Sequence, residues 1–297
     1  MPLIHQATLN QPLYFQGIAL HAGTHCSLTL YPAEENHGVV FLKNGVRIPA
    51  TVEHVLSTAF CVKIGSSEVT IQTIEHLMCA LLMNQVSNVL CHIEGEEVPV
   101  LDGSASLFSK AIASCGLKVQ SAMRKVAKVI KTLEILIGES RAKMSPMNDQ
   151  RYSIALDYDH PALNKSSLKK SFSVLFDDYL SEIDRARTYG FLKDQPFYEK
   201  YGLAQGASVH TALIFDDEKV INPEGSRMKD EITSHKILDC IGDLSLLGGA
   251  FLGHYEVLRP GHGINVAIVR ALIDQNAIYW ENATEALSFL SEPAGVL

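Results

Sequence analysis

Three short segments of the chain carry side chains whose types and spacing could do chemistry. In the longest, His235, Asp239 and Asp243 follow one another at intervals of four residues. Residues four apart lie on one face of an α-helix, so this segment predicts a polar stripe between apolar neighbours that should be buried. A buried polar stripe is costly unless its groups are paired or bind a metal. A solvent-facing edge with an ordinary His–Asp pair is the alternative.

Two further segments offer an acid and two more imidazoles. Glu75 and His76 are adjacent and would point about 100° apart on a helix, so one could bind a metal while the other reaches a metal-bound water. Alternatively, Glu75 is a first-turn acid that interacts with the helix dipole. His262 lies between two glycines at a predicted strand-to-helix turn, which could present its ring to a cleft or leave it without a role.

Together the segments supply two histidines and a carboxylate as metal ligands. A glutamate and a further histidine remain for other roles. Two histidines and one carboxylate leave a position open for water on zinc, and the spare groups are the base and acid that hydrolysis needs. The same ligands also suit Fe(II), so spacing alone does not identify the metal.

The elements that must position these residues form an α+β pattern in two similar halves. Each half is predicted to contain antiparallel strands and two helices, with a linker near 118–126. The predicted helices span Thr73 to Asn84, Ser104 to Cys115, a start at Asp177 or Asp178, about 229–247, and a last one from His262 to Ala271. The predicted strands of the second half are about 127–137, 151–158, 169–176, 209–215, 219–222 and 251–258.

Composition excludes several classes of protein. The 297 residues carry a net charge of −8, which argues against nucleic-acid binding and against anionic membranes. The six cysteines are irregularly spaced and predict free thiols, and we expect no signal peptide and no integral membrane span. The sequence therefore predicts a cytoplasmic protein.

Motifs along nearly the whole chain resemble those of the UDP-3-O-acyl-N-acetylglucosamine deacetylases, the zinc amidases of lipid A biosynthesis in Gram-negative bacteria. The matching segments, in order, are Gly17-Ile-Ala-Leu-His-Ala-Gly, Thr73-Ile-Glu-His-Leu, Pro99-Val-Leu-Asp-Gly-Ser-Ala, Asp157-Tyr-Asp-His-Pro, Ala186-Arg-Thr-Tyr-Gly-Phe, Asn222-Pro-Glu-Gly, His235-Lys-Ile-Leu-Asp-Cys-Ile-Gly-Asp and Pro260-Gly-His-Gly-Ile-Asn. Alanine stands at 19 and 207 where the family has glycine, which predicts altered local backbone, and tyrosine stands at 158 and 189 where phenylalanine is usual.

The resemblance implies a role for each candidate residue. One Zn²⁺, with Fe²⁺ as the alternative, would be held by His76, His235 and Asp239. Glu75 would be the general base and His262 the general acid. The resemblance also implies that Thr188 hydrogen-bonds the oxyanion and that Asp243 pairs with His262. The residues implied to bind substrate are Lys236, Arg259, Asp157, Tyr158, Tyr189, Phe191 and His21.

The implied fold is two ribosomal S5 domain 2-like domains, 1–121 and 122–297, with their helices sandwiched between two sheets. An insert at about 190–221 would form a passage for one acyl chain. Its candidate lining is Phe191, Phe197, Tyr198, Tyr201 and Leu203. The implied substrate is UDP-3-O-[(R)-3-hydroxyacyl]-N-acetylglucosamine, which a monomeric enzyme would deacetylate in the committed step of lipid A biosynthesis.

Two rival interpretations remain open at this point. One is an enzyme of the same type that acts on a different acylated sugar nucleotide. The other is a catalytically silent binding protein, against which the presence of all five residues of the proposed metal and acid–base set argues. An RNA-binding module is disfavoured by the net charge and by the lack of a basic-aromatic motif.

Overall fold

The computed structural model describes residues 4–291. The first part of the chain consists mainly of short strands, with two helices after the eighth strand. Its elements are β1 (His5–Leu9), β2 (Leu13–Ile18), β3 (His25–Pro32), β4 (Val39–Lys43), β5 (Val46–Pro49), β6 (Val55–Ser57), β7 (Lys63–Gly65), β8 (Thr70–Gln72), α1 (Glu75–Met83), β9 (Val89–Glu94), α2 (Ser106–Cys115) and β10 (Leu117–Met123).

The second part repeats the mixture of strands and helices and contains the two longest helices described. Its elements are β11 (Lys125–Val129), β12 (Leu133–Ile137), β13 (Ser140–Ser145), β14 (Gln150–Ala155), β15 (Lys169–Ser173), α3 (Tyr179–Glu182), β16 (Tyr189–Phe191), α4 (Gln195–Tyr201), β17 (Leu213–Phe215), α5 (Glu231–Leu244), β18 (Phe251–Leu258), α6 (His262–Asp274), β19 (Ile278–Asn282) and α7 (Ala283–Ala286).

Two large sheets form the outer layers. One has the order β2-β3-β9-β4-β5, and the other contains β12-β13-β18-β11-β19 with β14 and β15 attached through β18. Strand β3 shows how the sequence produces a one-sided sheet, because Cys26, Leu28 and Leu30 alternate with less buried residues and face the core. Most pairs are antiparallel, but β4–β9, β11–β18 and β14–β18 are parallel, so the sheets are mixed.

The helices α1 and α5 pack on each other between the sheets. Every residue of α5 except Lys236 is buried, as are seven of the nine residues of α1. A helix that is buried on all sides must be covered by structure on each of its faces. The two helices approach closely at Gly242, where an added Cβ would lie 2.1 Å from the carbonyl oxygen of Glu75. The predicted α+β class with helices between sheets is confirmed.

Several predicted boundaries were wrong. The expected linker near 118–126 is occupied by β10, which pairs with β1, and by the start of β11. The single strand expected over 127–137 is two strands, and 219–222 makes only an isolated bridge through Val220. The helix from His262 is followed by β19 and α7, so it is not the last element described.

The alanines that replace family glycines suit the backbone conformation at their positions. Neither Ala19 nor Ala207 lies in the left-handed region of φ, where a side chain would be unfavourable. All six cysteines are free thiols. Among the helices of residues 4–291, none is long and apolar enough to cross a membrane.

Candidate metal centre and active site

The α1–α5 contact brings together three side chains that can bind a metal. His76 lies in the first turn of α1, and His235 and Asp239 lie one turn apart on α5. All three are buried, and one ligand atom from each lies within 4.8 Å of the other two. Nε2 of His235 is 3.3 Å, and Nε2 of His76 is 3.7 Å, from Oδ1 of Asp239. Within residues 4–291, this is the one cluster of its kind.

The state of each donor fits a divalent metal ion. Oδ1 of Asp239 is buried without a hydrogen-bond partner, while Lys236 donates to Oδ2 at 2.7 Å. Nδ1 of His235 lies 3.1 Å from the carbonyl oxygen of Ala186. Because a carbonyl oxygen only accepts hydrogen bonds, Nδ1 carries the proton and Nε2 is free to bind a metal. Burial lowers the pKa of His76 to about 4 and that of His235 to about 3, so both imidazoles are neutral, as metal binding requires.

Glu75 lies beside this cluster. It begins α1, is buried, and its Oε2 accepts a hydrogen bond of 3.2 Å from the backbone N–H of Val62. Burial raises the pKa of Glu75 to about 7, although the nearby ring of His262 opposes that shift. A carboxyl group with a pKa near neutrality can both accept and release a proton at physiological pH.

His262 lies next to Glu75 and to Asp243. Its Nε2 is 3.8 Å from Oε1 of Glu75, and its Nδ1 is 2.8 Å from Oδ2 of Asp243. Burial alone would lower the pKa of His262, but the carboxylates of Asp243 and Glu75 outweigh it and raise the pKa to about 10. The ring is therefore a cation at neutral pH and holds a proton that it can donate.

A cavity of about 630 Å³ opens from these groups towards the segment 190–221. That volume lies within the usual range of ligand pockets, about 300 to 1,000 Å³. The polar end contains the metal-binding cluster, the acid–base pair and Thr188. The apolar end is lined by Leu20, Phe60, Phe191, Leu192, Tyr198, Leu203, Ala207, Ala212 and Ile214. Two of the five residues expected to line an acyl passage, Phe197 and Tyr201, are exposed and lie outside this wall.

Four of the residues expected to bind substrate line the cavity: His21, Lys236, Tyr189 and Phe191. Both ring nitrogens of His21 are buried without a hydrogen-bond partner, so the ring is available to a ligand. Nζ of Lys236 lies over the ring of Tyr189, 5.5 Å from the ring centroid.

The other three expected residues lie beside the cavity and contact one another or its wall. Arg259 forms ion pairs with Asp157, at 2.6 Å, and with Glu139, so its charge is already compensated. The hydroxyl of Tyr158 lies 2.9 Å from that of Tyr189. None of Arg259, Asp157 and Tyr158 lines the cavity itself.

Thr188 depends on a glycine for its position. Its backbone N–H donates to the carbonyl oxygen of Gly103 at 2.7 Å. Gly103 has φ +82°, and a Cβ there would lie 1.9 Å from the carbonyl oxygen of Thr211. Only glycine fits this close approach, which ties the Asp102-Gly103 turn to the wall that carries Thr188.

Sequence reasoning missed three buried residues that support the site. Glu97 accepts hydrogen bonds from the backbone of His21 and from the hydroxyl of Thr73. Asn265 donates to Asp243, and Tyr255 donates to Asn265. The spacing of His262 and Asn265, three apart on α6, was a signal for Asn265, whereas Tyr255 looks like an ordinary core residue of a strand.

Comparison with known proteins gives consistent matches over most of the chain. Residues 6–274 match the family model described as LpxC, UDP-3-O-acyl N-acetylglycosamine deacetylase. A UDP-3-O-acyl-N-acetylglucosamine deacetylase from Myxococcus xanthus is 37% identical over 279 residues, which cover 93% of this chain and 88% of the relative. The enzymes of that name from Nautilia profundicola and Stenotrophomonas maltophilia are each 38% identical, over 92% and 94% of this chain and 93% of each relative.

Proposed function

The chain belongs to the UDP-3-O-acyl N-acetylglycosamine deacetylase family, and on that premise we propose that it removes the N-acetyl group from a UDP-3-O-acyl-N-acetylglucosamine. The products are acetate and the free amine of UDP-3-O-acyl-glucosamine. The acyl group is an (R)-3-hydroxyacyl chain, and the reaction is the committed step of lipid A biosynthesis. We further propose that the enzyme acts as a monomer in the cytoplasm of a Gram-negative bacterium.

His76, His235 and Asp239 would hold a single Zn²⁺, which supplies a Lewis acid that makes water a nucleophile at neutral pH. Lys236 keeps Oδ2 of Asp239 occupied, so that Oδ1 faces the two imidazoles. Fe²⁺ suits the same donors, and metal analysis of the purified protein separates the two ions.

Glu75 and His262 divide the proton transfers between them. Glu75 takes the proton from the attacking water, because its raised pKa suits a base that works near neutrality. His262 is cationic, so it first stabilises the negative charge that develops on the amide oxygen and then protonates the departing amine. Thr188, on the cavity wall, donates a hydrogen bond from its hydroxyl to the same oxygen.

The two ends of the cavity match the two chemical ends of this substrate. The apolar wall from the segment 190–221 suits one acyl chain, and Tyr189 offers a ring face to the sugar. Lys236 and His21 lie at the polar end, where they can meet the anionic nucleotide despite the net charge of −8. We propose that residues up to 121 supply His21, Glu75 and His76 as one domain, while the remainder supplies the other metal ligands, Thr188 and His262.

The observation that carries the proposal is the placement of a base and a protonated acid, Glu75 and His262, 3.8 Å apart beside one buried cluster of side chains that can bind a metal. The test measures acetate release from a UDP-3-O-acyl-N-acetylglucosamine by the untreated, the chelated and the zinc-restored protein. We expect release to disappear with chelation and to return with zinc. Absence of release from folded, zinc-loaded protein across several acyl lengths would instead favour a different substrate or a silent binding protein.

A further inference from the structure

A chain of buried hydrogen bonds continues behind Asp243, through side chains that do not line the cavity. Nδ2 of Asn265 donates to Oδ2 of Asp243 at 2.8 Å, and the hydroxyl of Tyr255 donates to Oδ1 of Asn265 at 2.8 Å. Asn265, Tyr255 and Asp243 are all completely buried. Water therefore does not compete for these bonds, and the loss of any one leaves a buried polar group unpaired.

The chemistry of the partners determines the direction of each bond. A carboxylate only accepts hydrogen bonds, so the amide nitrogen of Asn265 must face Asp243. The amide oxygen then faces Tyr255, whose hydroxyl must donate. The thiol of Cys240 donates to the same amide oxygen at 3.6 Å, so two donors hold the amide in a single orientation.

Three elements meet in this arrangement. Helix α5 provides Cys240 and Asp243, strand β18 provides Tyr255, and helix α6 provides His262 and Asn265. Asn265 and His262 bind the same carboxylate oxygen, Oδ2. Rotation of the Asp243 carboxyl group would break both hydrogen bonds together, and the bond from Asn265 therefore opposes that rotation.

We propose that Asn265 and Tyr255 are positioning residues that hold Asp243 in the orientation in which it accepts the Nδ1 proton of His262. The catalytic consequence rests on the proposed function, in which His262 is the acid. If the hydroxyl of Tyr255 is absent, the amide oxygen of Asn265 keeps only the 3.6 Å bond from the Cys240 thiol, so the amide is held less firmly and its bond to Asp243 weakens. The contact between Asp243 and His262 then loosens, although neither residue has been changed.

A matched pair of variants of the full-length protein tests this proposal. Tyr255→Phe removes the hydroxyl that bonds Asn265. Tyr152→Phe is the control, because Tyr152 is also completely buried, its ring centroid lies 6.4 Å from that of Tyr255, and its hydroxyl bonds Gln150 instead. Each variant removes one buried hydroxyl, so the two should lose similar stability. Asn265→Leu is a second variant of similar shape that removes the donor to Asp243 itself.

The primary readout is the NMR resonance of the Nδ1 proton of His262 in the metal-free protein, assigned by its loss in His262→Gln. We expect this resonance to lie far downfield in the wild type and in Tyr152→Phe, and to move upfield or broaden in Tyr255→Phe and Asn265→Leu. In the zinc-loaded protein we expect kcat to fall about tenfold in Asn265→Leu and less in Tyr255→Phe, with KM unchanged.

The resonance needs neither substrate nor metal, so it tests the positioning role even if the proposed substrate is not turned over. The proposal is overturned if Tyr255→Phe and Tyr152→Phe have the same His262 resonance and the same kcat. Equal losses of kcat in these two variants, in proportion to their stability, would likewise reduce Tyr255 to a structural role. If Asn265→Leu does not fold, the comparison of the two tyrosine variants decides alone.

Discussion

Nδ1 of His262 and Oδ2 of Asp243 lie 2.8 Å apart, and these two buried residues come from different helices. Because both are buried, the carboxylate stabilises the imidazolium far more strongly than it would at the surface. This pair makes His262 a stable cation, in contrast to His76 and His235, whose pKa values burial lowers. One site therefore contains histidines in two protonation states, and each state suits its proposed role.

Asp243→Asn should lower the pKa of His262 from about 10, because it removes the carboxylate that contributes most to raising it. A raised folded-state pKa contributes stability that is fully present below the unfolded value, about 6.5, and is lost as the pH rises through about 10. We therefore expect the variant's deficit in unfolding free energy to be larger at pH 7 than at pH 11. An NMR titration of the metal-free protein and urea unfolding at both pH values measure these effects.

Asp274→Asn is a suitable control for that experiment, since Asp274 is an exposed residue at the end of α6, the helix that begins with His262. It should leave the His262 titration unchanged. We expect Asp243→Asn to reduce kcat about 100-fold in the zinc-loaded enzyme, as for loss of general acid catalysis. An unchanged His262 pKa would contradict the electrostatic role of Asp243.

Glu75→Gln should reduce turnover by about 10² to 10⁴-fold while the bound metal is retained. The amide cannot take a proton from water, but the three proposed ligands are untouched. Turnover and metal content are measured on the same preparation, and exposed Glu68→Gln provides a surface control. Full activity in Glu75→Gln would remove Glu75 as the base.

His235→Ala should abolish stoichiometric metal binding, because it removes one of three protein ligands and leaves two that cannot complete the site. Metal content after dialysis against zinc measures this directly, and the expected change is from about one ion per chain to almost none. His25→Ala, at an exposed position on β3, should retain the metal. A metal-replete His235→Ala variant would refute the assignment of this ligand.

Phe60→Gly should be more stable than Phe60→Ala by about 1 kcal/mol. Phe60 has φ +67°, a left-handed conformation that costs free energy for any residue with a Cβ but none for glycine. Both variants lose the ring contacts with Phe197 and Tyr198, at 5.7 and 6.3 Å, so the difference between them isolates the backbone.

The same pair of substitutions at Phe176 is the control for that comparison. Phe176 is exposed and lies outside the left-handed region, so there the glycine variant should be the less stable one. Urea unfolding of the four variants measures the two differences. If glycine and alanine rank in the same order at both positions, the backbone at Phe60 is not strained.

Much of the fold and the site follows from local pattern. The alternation in β3 and the four-residue spacing of His235, Asp239 and Asp243 predict their elements directly, since side-chain periodicity is a property of the isolated strand or helix. The α+β class was predicted for the same reason. The prediction of a linker near 118–126 was wrong because the polar composition of this segment resembles that of a loop. Strand β10 forms by pairing with β1, which is more than 100 residues away in sequence.

By itself, then, the sequence determined which residue types are available and which share a face of one helix. Only the tertiary structure decided which of them meet: the α1–α5 contact at Gly242 brings His76 to Asp239, and α6 brings His262 to Asp243. It also paired Arg259 with Asp157 beside the cavity and brought the hydroxyl of Tyr255 to Asn265. The physical reason is that pKa values and ligand geometry depend on burial and on neighbours from distant parts of the chain, which periodicity does not encode.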